Sequence, residues 1–310
     1  MTENGLRFMT ANEQSELRGE LRRDEPMARH TSWRVGGPVD RFYRPADMDD
    51  LCAFLAQLDA GDDVFMLGLG SNLLVRDGGL RAVVIATSGR LNGFERLSDN
   101  RVRVEAGVAC PQLARQCARQ GLRGIEFLCG VPGTLGGALA LNAGATGGET
   151  WDRVESVLVV DRSGRLHERG PEDFHIAYRS VENRVSRQEW FVAATLRLEA
   201  GDAAQGQELI RTLLARRGAT QPTSQPNAGS VFRNPPGDYA ARLIESCGLK
   251  GHCIGGACVS EKHANFIINT GTALAADIED LIGHVARTVK EVTGVELIRE
   301  VHIVGEAARP

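Results

Sequence analysis

The chain has 310 residues, more than a single hydrophobic core commonly organises, so we expect two or three domains. Hydrophobic residues make up 42% of it and charged residues 25%, which is typical of a globular protein, and the net charge of -4 argues against nucleic acid as a partner. No apolar run approaches the ~18 residues needed to cross a bilayer, and residues 1–25 lack the apolar core of a signal peptide. We therefore expect a cytoplasmic protein without a membrane partner.

In chain order, residues 1–25 show no periodicity and are rich in Glu and Arg, which predicts a solvated extension or a short helix outside the core. From residue 47 an apolar face with helical spacing predicts a helix, and strand-like stretches follow over 64–67 and 82–86. The next predicted elements are a helix over 111–120 and strands over 154–160, 165–168 and 190–198.

The stretch 199–207 is small and polar, so we interpret it as a linker and place a domain boundary there. A long helix from residue 275 is predicted because its apolar residues follow the i, i+3, i+4, i+7 spacing of one buried face. The other elements predicted beyond the boundary are helices over 207–217 and 238–247 and strands over 265–269 and 296–304.

A first glycine-rich motif, Gly68-Leu-Gly-Ser-Asn72, follows the predicted strand 64–67. Backbone N–H groups of Gly68 and Gly70 can converge on an anion there, and Ser71 and Asn72 add side-chain donors, which suits a diphosphate. A tight turn between strands accounts for the same residues equally well. The motif is not a dinucleotide fingerprint, because Leu73 occupies the place of the third glycine, so a Rossmann fold is not supported.

A second glycine-rich motif lies between residues 129 and 145. Gly133, Gly136 and Gly137 allow a flat cofactor to approach the backbone closely, and Thr134 and Asn142 could hydrogen-bond to its polar edges. Close packing of a helix on a sheet is the alternative. Two such motifs in one chain favour a large nucleotide cofactor more strongly than either motif does singly.

Six motifs then occur together in one order: His30-Thr-Ser-Trp-Arg-Val-Gly-Gly37, Gly68-Leu-Gly-Ser-Asn72, Gly130-Val-Pro-Gly-Thr-Leu-Gly-Gly137, Tyr178-Arg179, Asn227-Ala-Gly-Ser-Val-Phe-Arg-Asn-Pro235 and Leu297-Ile-Arg-Glu-Val301. Over about residues 30–305 the chain resembles the UDP-N-acetylenolpyruvoylglucosamine reductase family. These are FAD enzymes that complete the muramic acid precursor of peptidoglycan. The short loop 220–230 is similar to the shorter, type II subclass, which lacks an extra lid segment.

The resemblance implies an α+β fold with an FAD-binding domain of the vanillyl-alcohol-oxidase type, split into two subdomains, and a C-terminal α+β substrate-binding domain. FAD is expected to be bound non-covalently. The implied division of the chain is an N-terminal extension over 1–25, the FAD domain over 26–200 with subdomains at about 26–90 and 91–200, the substrate domain over 201–298, and a C-terminal strand and tail over 299–310.

The implied reaction is that of a UDP-N-acetylmuramate dehydrogenase, the NADPH-dependent reduction of UDP-N-acetylglucosamine enolpyruvate to UDP-N-acetylmuramate. Reduced FAD supplies hydride and Ser230 the proton, while Arg179 and a protonated Glu300 stabilise the charge on the substrate carboxylate. Taken without the resemblance, the three residues are a turn serine, a surface ion-pairing arginine and a solvent-facing glutamate. The preference for NADPH over NADH and the oligomeric state stay open.

The UDP-sugar is expected to contact Tyr178, Gln221, Arg233 and Asn234, and basic residues before Gln221 could face its diphosphate. The chain departs from the family pattern at Val181, where serine is usual, and at 242, where arginine replaces lysine. Neither change touches the three catalytic candidates.

Three alternatives compete with the reductase. An FAD-dependent alcohol oxidase shares the flavin fold, but the motifs at 227–235 and 297–301 favour the reductase. A flavin-binding regulator without catalysis would leave the catalytic candidates idle.

The third alternative is a metal-binding module, because His252, Cys253, Cys258 and His263 have ligand-like side chains. Their spacing is not C-x-x-C, and their apolar and glycine neighbours favour a turn and a buried strand, so we expect no metal site. The seven cysteines do not form the pattern of a disulfide framework, and we expect most to be small buried residues.

Overall fold

The structure is a computed structural model that describes residues 16–308. Its α-helices are α1 (Met48–Gln57), α2 (Cys110–Arg119), α3 (Leu135–Ala140), α4 (Ala203–Thr220), α5 (Ala240–Ser246) and α6 (Ala275–Thr293). Its strands are β1 (Glu20–Pro26), β2 (Pro38–Arg44), β3 (Val64–Leu67), β4 (Leu73–Val75), β5 (Leu80–Ala86), β6 (Phe94–Arg96), β7 (Arg101–Glu105), β8 (Leu122–Arg123), β9 (Gly144–Ala145), β10 (Gly148–Glu149), β11 (Val154–Asp161), β12 (Leu166–Arg169), β13 (Phe174–Ala177), β14 (Ser180–Asn183), β15 (Glu189–Arg197), β16 (Glu199–Ala200), β17 (Cys253–Ile254), β18 (Ala257–Val259), β19 (Ile267–Asn269) and β20 (His302–Val304). Short 3-10 helices lie at Met27–Arg29, Glu126–Gly130, Thr150–Arg153 and Pro171–Asp173.

The first subdomain is a four-stranded sheet in the order β1-β2-β5-β3, in which β2, β5 and β3 run parallel. Helix α1 packs on one face through Leu51, Phe54 and Leu55, and its first turn is capped by Asp47, whose carboxylate accepts from the N of Asp50 at 3.0 Å. The predicted helix from residue 47 and the strands over 64–67 and 82–86 are therefore confirmed.

The expectation of an extension or helix up to residue 25 is wrong for its last part. Residues 20–26 form β1, which pairs antiparallel with β2 and lies at the edge of the sheet. Edge strands tolerate charged side chains along their length, so the sequence of β1 lacks a clear alternation. Residues 1–15 lie outside the described residues.

The second subdomain is a five-stranded antiparallel sheet in the order β12-β11-β15-β7-β6, with α2 and α3 packed against it. The linker predicted over 199–207 is wrong, because β16 pairs with β8 and α4 begins at Ala203, capped by Asp202. Helix α4 packs on this subdomain, since Ile210 is part of its core and Gly206 lies against Ala118. The small residues of this stretch allow α4 to pack closely on the subdomain, and the same residues give the sequence the composition of a linker.

The C-terminal domain packs α5 and α6 against the small sheet β17-β18-β19. Trp33, from the first part of the chain, enters this core: its Nε1 donates to Ile267 O at 2.7 Å, and Asn269 Nδ2 donates to Trp33 O at 2.8 Å. The chain then returns, because β20 pairs parallel with β4 of the first subdomain. The C-terminal domain is thus joined to the first subdomain at two places.

Two details differ from the sequence-based expectations. The final strand is only β20, shorter than the predicted 296–304, because Arg299 makes a single bridge to Phe232 before the strand begins. Cys253 and Cys258 form a disulfide across β17 and β18, which the turn at Gly255 and Gly256 brings opposite each other. Cys110, Cys117 and Cys129 are buried as expected.

Among the described residues, no helix combines the length and the apolar character needed to span a membrane.

Candidate active site

The two glycine-rich motifs meet between the two subdomains. A Cβ atom added at Gly68 would lie 2.5 Å from Thr134 Oγ1, and one added at Gly133 would lie 3.5 Å from Ser71 Oγ. Gly70 has φ 58°, and its carbonyl accepts a hydrogen bond from the N of Ser32 at 3.2 Å. Glycine is therefore required at 68 by the approach of Thr134 and at 70 by the backbone conformation, whereas a Cβ at 133 would make only an ordinary contact.

A cavity of about 640 Å³ opens beside these loops, within the range of about 300–1,000 Å³ of small-molecule and cofactor sites. Four of the predicted cofactor residues line it: Gly68, Thr134, Gly136 and Gly137. The rest of the lining mixes apolar side chains, among them Met66, Val159 and Phe174, with polar and charged ones, among them Asn183, Arg187 and Glu189.

These walls fit FAD. Gly68, Gly136 and Gly137 line the cavity without side chains, and the buried Ser32 Oγ, next to the Gly70 loop, has no hydrogen-bond partner among the described residues. Gly70, Ser71, Asn72 and Gly133 belong to the same two loops but do not line the cavity itself.

Asn142 is not available to a cofactor in the way the sequence predicts. Its side chain is buried, and both amide N–H groups are used: Nδ2 donates to Glu149 Oε2 at 2.7 Å and to Ala177 O at 3.3 Å. Its Oδ1 accepts from the N of Trp151 at 3.2 Å. The sequence could not reveal these partners, because Ala177 is distant along the chain.

Arg179 occupies the two-residue turn between β13 and β14 and has φ 56°, a left-handed conformation that is uncommon for arginine. Its Nη2 donates to Gly144 O at 2.8 Å and its Nη1 to Asn142 O at 3.4 Å. Its Nε lies 3.0 Å from Glu300 Oε1, yet the angle leaves this buried N–H outside hydrogen-bonding geometry. One N–H on each terminal nitrogen also stays free for a ligand.

Glu300 lies between two guanidinium groups. Burial raises the pKa of its carboxyl, and this effect exceeds the opposing influence of Arg179 and Arg233. Its carbonyl accepts from Asn72 Nδ2 at 3.2 Å, which connects Glu300 to the first glycine-rich loop. The site therefore favours the protonated form of Glu300 more than water does.

Ser230 lies in a loop organised by Asn227, whose Oδ1 accepts from the N of Gly229 at 2.9 Å. Gly229 has φ 77°, which a residue with a side chain rarely adopts. Within residues 16–308 no group hydrogen-bonds to the Ser230 hydroxyl, so it is free to donate. The next residue, Val231, accepts at its carbonyl from the N of Glu300 at 2.8 Å, so the Ser230 loop runs beside Glu300, whose carboxylate contacts Arg179.

Asn265 is a residue of this site that the sequence analysis did not single out. Its Oδ1 accepts from Phe232 N at 3.0 Å, its Nδ2 donates to Phe232 O at 2.8 Å, and its carbonyl accepts from Val231 N at 2.9 Å. It holds the segment after Ser230 against Glu300. In the sequence, an asparagine between apolar residues is the one sign of this role, because a buried amide side chain needs hydrogen-bond partners.

Of the predicted substrate residues, two lie beside the catalytic candidates. Arg233 Nη2 donates to Arg179 O at 3.1 Å, and Tyr178 is 47% exposed with its ring centroid 5.2 Å from Arg179 Cζ. Asn234 Oδ1 accepts from the N of Ala240 at the start of α5, at 3.1 Å, which leaves only its amide N–H groups for a ligand.

Gln221 is engaged at the end of α4, where its Oε1 accepts from Arg217 Nε at 2.9 Å. Arg217 is partly buried, and this burial lowers the pKa of its guanidinium. It lies close to Gly130 of the second glycine-rich motif. The pair forms a separate basic position beside the cofactor-binding loops.

The ligands considered for a metal-binding module are not gathered together. Cys253 and Cys258 are bonded to each other, the ring of His252 stacks on His284 with centroids 4.5 Å apart, and His263 Nδ1 accepts from the N of Asn265 at 3.3 Å. In the part of the chain that the structure describes, no group of three or more His, Cys, Asp or Glu side chains could hold a metal ion.

Two α+β subdomains around a cavity partly lined by glycines, with a further C-terminal domain that pairs with the first subdomain through β4 and β20, define a two-subdomain flavoprotein of the reductase and oxidase kind. Residues 39–170 match the family model described as the FAD binding domain, and residues 221–304 match the one described as the C-terminal domain of UDP-N-acetylenolpyruvoylglucosamine reductase. The expected FAD cofactor and α+β fold class are thus confirmed.

Known reductases match the sequence along almost the whole chain. It is 59% identical over 299 residues to the UDP-N-acetylenolpyruvoylglucosamine reductase of Alkalilimnicola ehrlichii, covering 96% of this chain and 99% of that one. The identity to the reductase of Methylococcus capsulatus is 57%, with 97% and 99% covered. The crystal structure of the Thermus caldophilus reductase superposes with a TM-score of 0.76 at 32% identity, covering 92% of this chain and 98% of that one.

The chain belongs to the UDP-N-acetylenolpyruvoylglucosamine reductase family and is an oxidoreductase. This decides between the reductase and the oxidase in favour of the former. The flavin-binding regulator and the metal-binding module are set aside with it.

Proposed function

We propose that the protein reduces UDP-N-acetylglucosamine enolpyruvate to UDP-N-acetylmuramate with NADPH, a step of peptidoglycan precursor synthesis in the cytoplasm. The observation that supports this best is the pair of buried Nε–H groups of Arg179 and Arg233, which lack hydrogen-bond partners among the described residues next to Glu300. Unpaired buried donors are unfavourable, and two such guanidinium groups beside a buried acid suit a substrate carboxylate that accepts from their terminal nitrogens.

Saturating a carbon–carbon double bond conjugated to a carboxylate requires a hydride at one carbon and a proton at the other. FAD, when bound and reduced by NADPH, supplies the hydride. Its diphosphate would be held non-covalently by the loops containing Gly68, Gly70, Ser71 and Asn72 on one side and 133–137 on the other. The protein's own side chains must then stabilise the charge that develops on the carboxylate and deliver the proton.

Arg179 is assigned to charge stabilisation. Main-chain carbonyls hold one N–H of each terminal nitrogen, and the remaining N–H groups are free to donate to the substrate carboxylate. Because the guanidinium is already fixed before substrate binds, little reorganisation accompanies the reaction.

Ser230 is assigned as the proton donor and Glu300 as its acidic neighbour. When the Ser230 hydroxyl gives its proton to the substrate carbon, its oxygen becomes negative and must be reprotonated. Burial favours the protonated form of Glu300, whose main-chain N is bonded to Val231, the residue after Ser230. Glu300 can therefore donate a hydrogen bond to the carboxylate or pass on a proton.

The UDP portion is assigned to the remaining polar groups around the site. Tyr178 and Arg233 lie beside Arg179 and suit the sugar and the enolpyruvyl carboxylate, and Asn234 offers its amide N–H groups. Arg217 with Gln221 suits a phosphate, because the partly buried guanidinium has no carboxylate partner among the described residues.

The test is a steady-state assay of NADPH consumption with and without the enolpyruvyl UDP-sugar, with the product identified by mass spectrometry. We expect NADPH oxidation to depend on that substrate and one UDP-N-acetylmuramate to form per NADPH. Parallel assays with NADH measure the nucleotide preference. Substrate-independent NADPH oxidation with hydrogen peroxide as the only product would contradict the proposal.

A further inference from the structure

Asn142 lies at the junction of three segments that meet behind Arg179. It is 1% exposed and has φ 43°, a left-handed conformation that asparagine tolerates better than most residues. Its Nδ2 donates to Glu149 Oε2 at 2.7 Å and to Ala177 O at 3.3 Å. Ala177 is the last residue of β13, immediately before the Tyr178-Arg179 turn.

The main chain around Asn142 provides both carbonyl groups that hold the Arg179 side chain. Arg179 Nη1 donates to Asn142 O at 3.4 Å, and Nη2 donates to Gly144 O at 2.8 Å. The side chain of Asn142 thus binds the strand leading into the turn, while its backbone binds the guanidinium that leaves the turn. The backbone of Arg179 and its guanidinium group therefore both depend on the position of Asn142.

The orientation of the Asn142 amide is determined by its partners. The N of Trp151 can only donate, so it requires Oδ1, which it contacts at 3.2 Å. The Glu149 carboxylate can only accept when ionised, so it requires Nδ2. Glu149 lies on β10 and Trp151 in the following 3-10 helix, whose first residue, Thr150, donates its N–H to Ala143 O at 3.0 Å.

Arg179 needs such support because its backbone conformation is unfavourable. A non-glycine residue with φ near 56° persists only where the surroundings determine it. A two-residue turn supplies few contacts of its own, and Tyr178 is half exposed. The buried contacts made by Asn142 are the ones in position to hold the turn.

We propose that Asn142 and Glu149 are positioning residues for Arg179. The Glu149 carboxylate orients the Asn142 amide, and Asn142 fixes the position of the Tyr178-Arg179 turn and of the two main-chain carbonyls that hold the guanidinium. This rests on the role proposed above for Arg179. It replaces the expectation that Asn142 donates to the cofactor, and neither residue touches the reacting atoms.

The test uses reciprocal substitutions and follows the two half-reactions separately. Asn142→Asp places a second carboxylate against Glu149, which displaces the turn, so we expect reoxidation of reduced flavin by substrate to slow about 100-fold. Flavin reduction by NADPH and FAD content should stay within about twofold of the unaltered protein. The affinity of the oxidised protein for the enolpyruvyl UDP-sugar, measured by calorimetry, should weaken about tenfold, since Arg179 holds its carboxylate.

Two further measurements separate positioning from general damage. Combining Asn142→Asp with Glu149→Gln restores a donor facing an acceptor between these two residues but not the hydrogen bond to Ala177 O, so the reoxidation rate should recover in part, to within about tenfold of the unaltered rate. The defect of Asn142→Asp alone should grow as pH rises, because two adjacent carboxylates share a proton at low pH and repel when both are ionised.

Asp50→Asn is the matched control. Asp50 is a buried carboxylate that accepts from Tyr43 Oη at 2.6 Å and from Ala46 N at 2.8 Å, and none of these residues lines the cavity. We expect it to lower the melting temperature while leaving both half-reactions within about twofold.

An Arg179→Ala background distinguishes failure of this proposal from failure of the proposed function. If Arg179→Ala alone does not slow reoxidation, the role given to Arg179 is wrong and the positioning proposal falls with it. If Arg179→Ala slows reoxidation but Asn142→Asp slows it equally in both backgrounds, or slows flavin reduction or releases FAD, only the positioning proposal is overturned. Loss of the Asn142→Asp effect in the Arg179→Ala background is the expected result.

Discussion

Asn265 is the side chain whose removal we expect to affect proton delivery without affecting the cofactor. It is 3% exposed, and its amide pairs with both main-chain groups of Phe232, at 3.0 Å and 2.8 Å. Asn265→Ala leaves these two buried groups without their partners, and each such group costs about 1–3 kcal/mol. The sum of about 2–6 kcal/mol is a large part of the ~5–15 kcal/mol that stabilises a typical domain. The segment after Ser230 should therefore shift.

Stopped-flow measurement of the two half-reactions tests this expectation. For Asn265→Ala we expect flavin reduction by NADPH within about twofold of the unaltered protein and reoxidation by substrate about 100-fold slower, as for a misplacement of ~1 Å. Asn269→Ala is the control: it is also buried, and it loses contacts to Trp33 O at 2.8 Å and Gly271 N at 2.7 Å instead. Equal slowing of reoxidation by both substitutions would refute the reasoning, as would equal slowing of both half-reactions by Asn265→Ala.

Three further predictions concern the proton donor, the cofactor cradle and the buried acid. Ser230→Ala should leave flavin reduction nearly unchanged and slow reoxidation by about 10²–10⁴-fold, the usual contribution of a general acid, and equal slowing of both steps would remove Ser230 from that role. Gly68→Ala should release FAD, measured by flavin fluorescence, because the new Cβ would lie 2.5 Å from Thr134 Oγ1, whereas Gly61→Ala, with nothing within 4 Å, should retain it. Because the folded pKa of Glu300 is raised, its contribution to stability is present below the unfolded pKa and is lost as pH rises through the folded pKa. Glu300→Gln should therefore become more stable relative to the unaltered protein as pH rises in thermal melts, and a pH-independent difference would contradict the raised pKa.

Much of the secondary structure follows from the sequence, because helix α6 has a strong apolar periodicity and strands β3, β5, β11 and β15 are rich in apolar and β-branched residues. The glycine-rich loops are also predictable as neighbours of one large cofactor, since their glycines carry no side chain and the one at 68 lies where the other loop approaches closely. Strand β1 is harder to recognise, because this edge strand rich in Glu and Arg fully buries only Glu25.

The catalytic candidates could be proposed only through the family resemblance. Arg179 and Glu300 are far apart in sequence, and nothing local in either motif predicts that their side chains come within 3.0 Å. The sequence suggests a cofactor ligand at Asn142, because an asparagine among glycines suits that role. Its partner Ala177 is reached only through the folding of the β13–β14 hairpin. Long-range pairing of this kind leaves no local pattern.

A single anaerobic turnover tests most directly whether the bound flavin transfers its electrons to the enolpyruvyl UDP-sugar. The bound FAD is reduced with one equivalent of NADPH, the oxidised nucleotide is removed, and the enolpyruvyl UDP-sugar is added without oxygen. We predict that the flavin is reoxidised and that one UDP-N-acetylmuramate forms per FAD. A flavin that stays reduced in the presence of this substrate, and is reoxidised only when oxygen is admitted, would contradict the account.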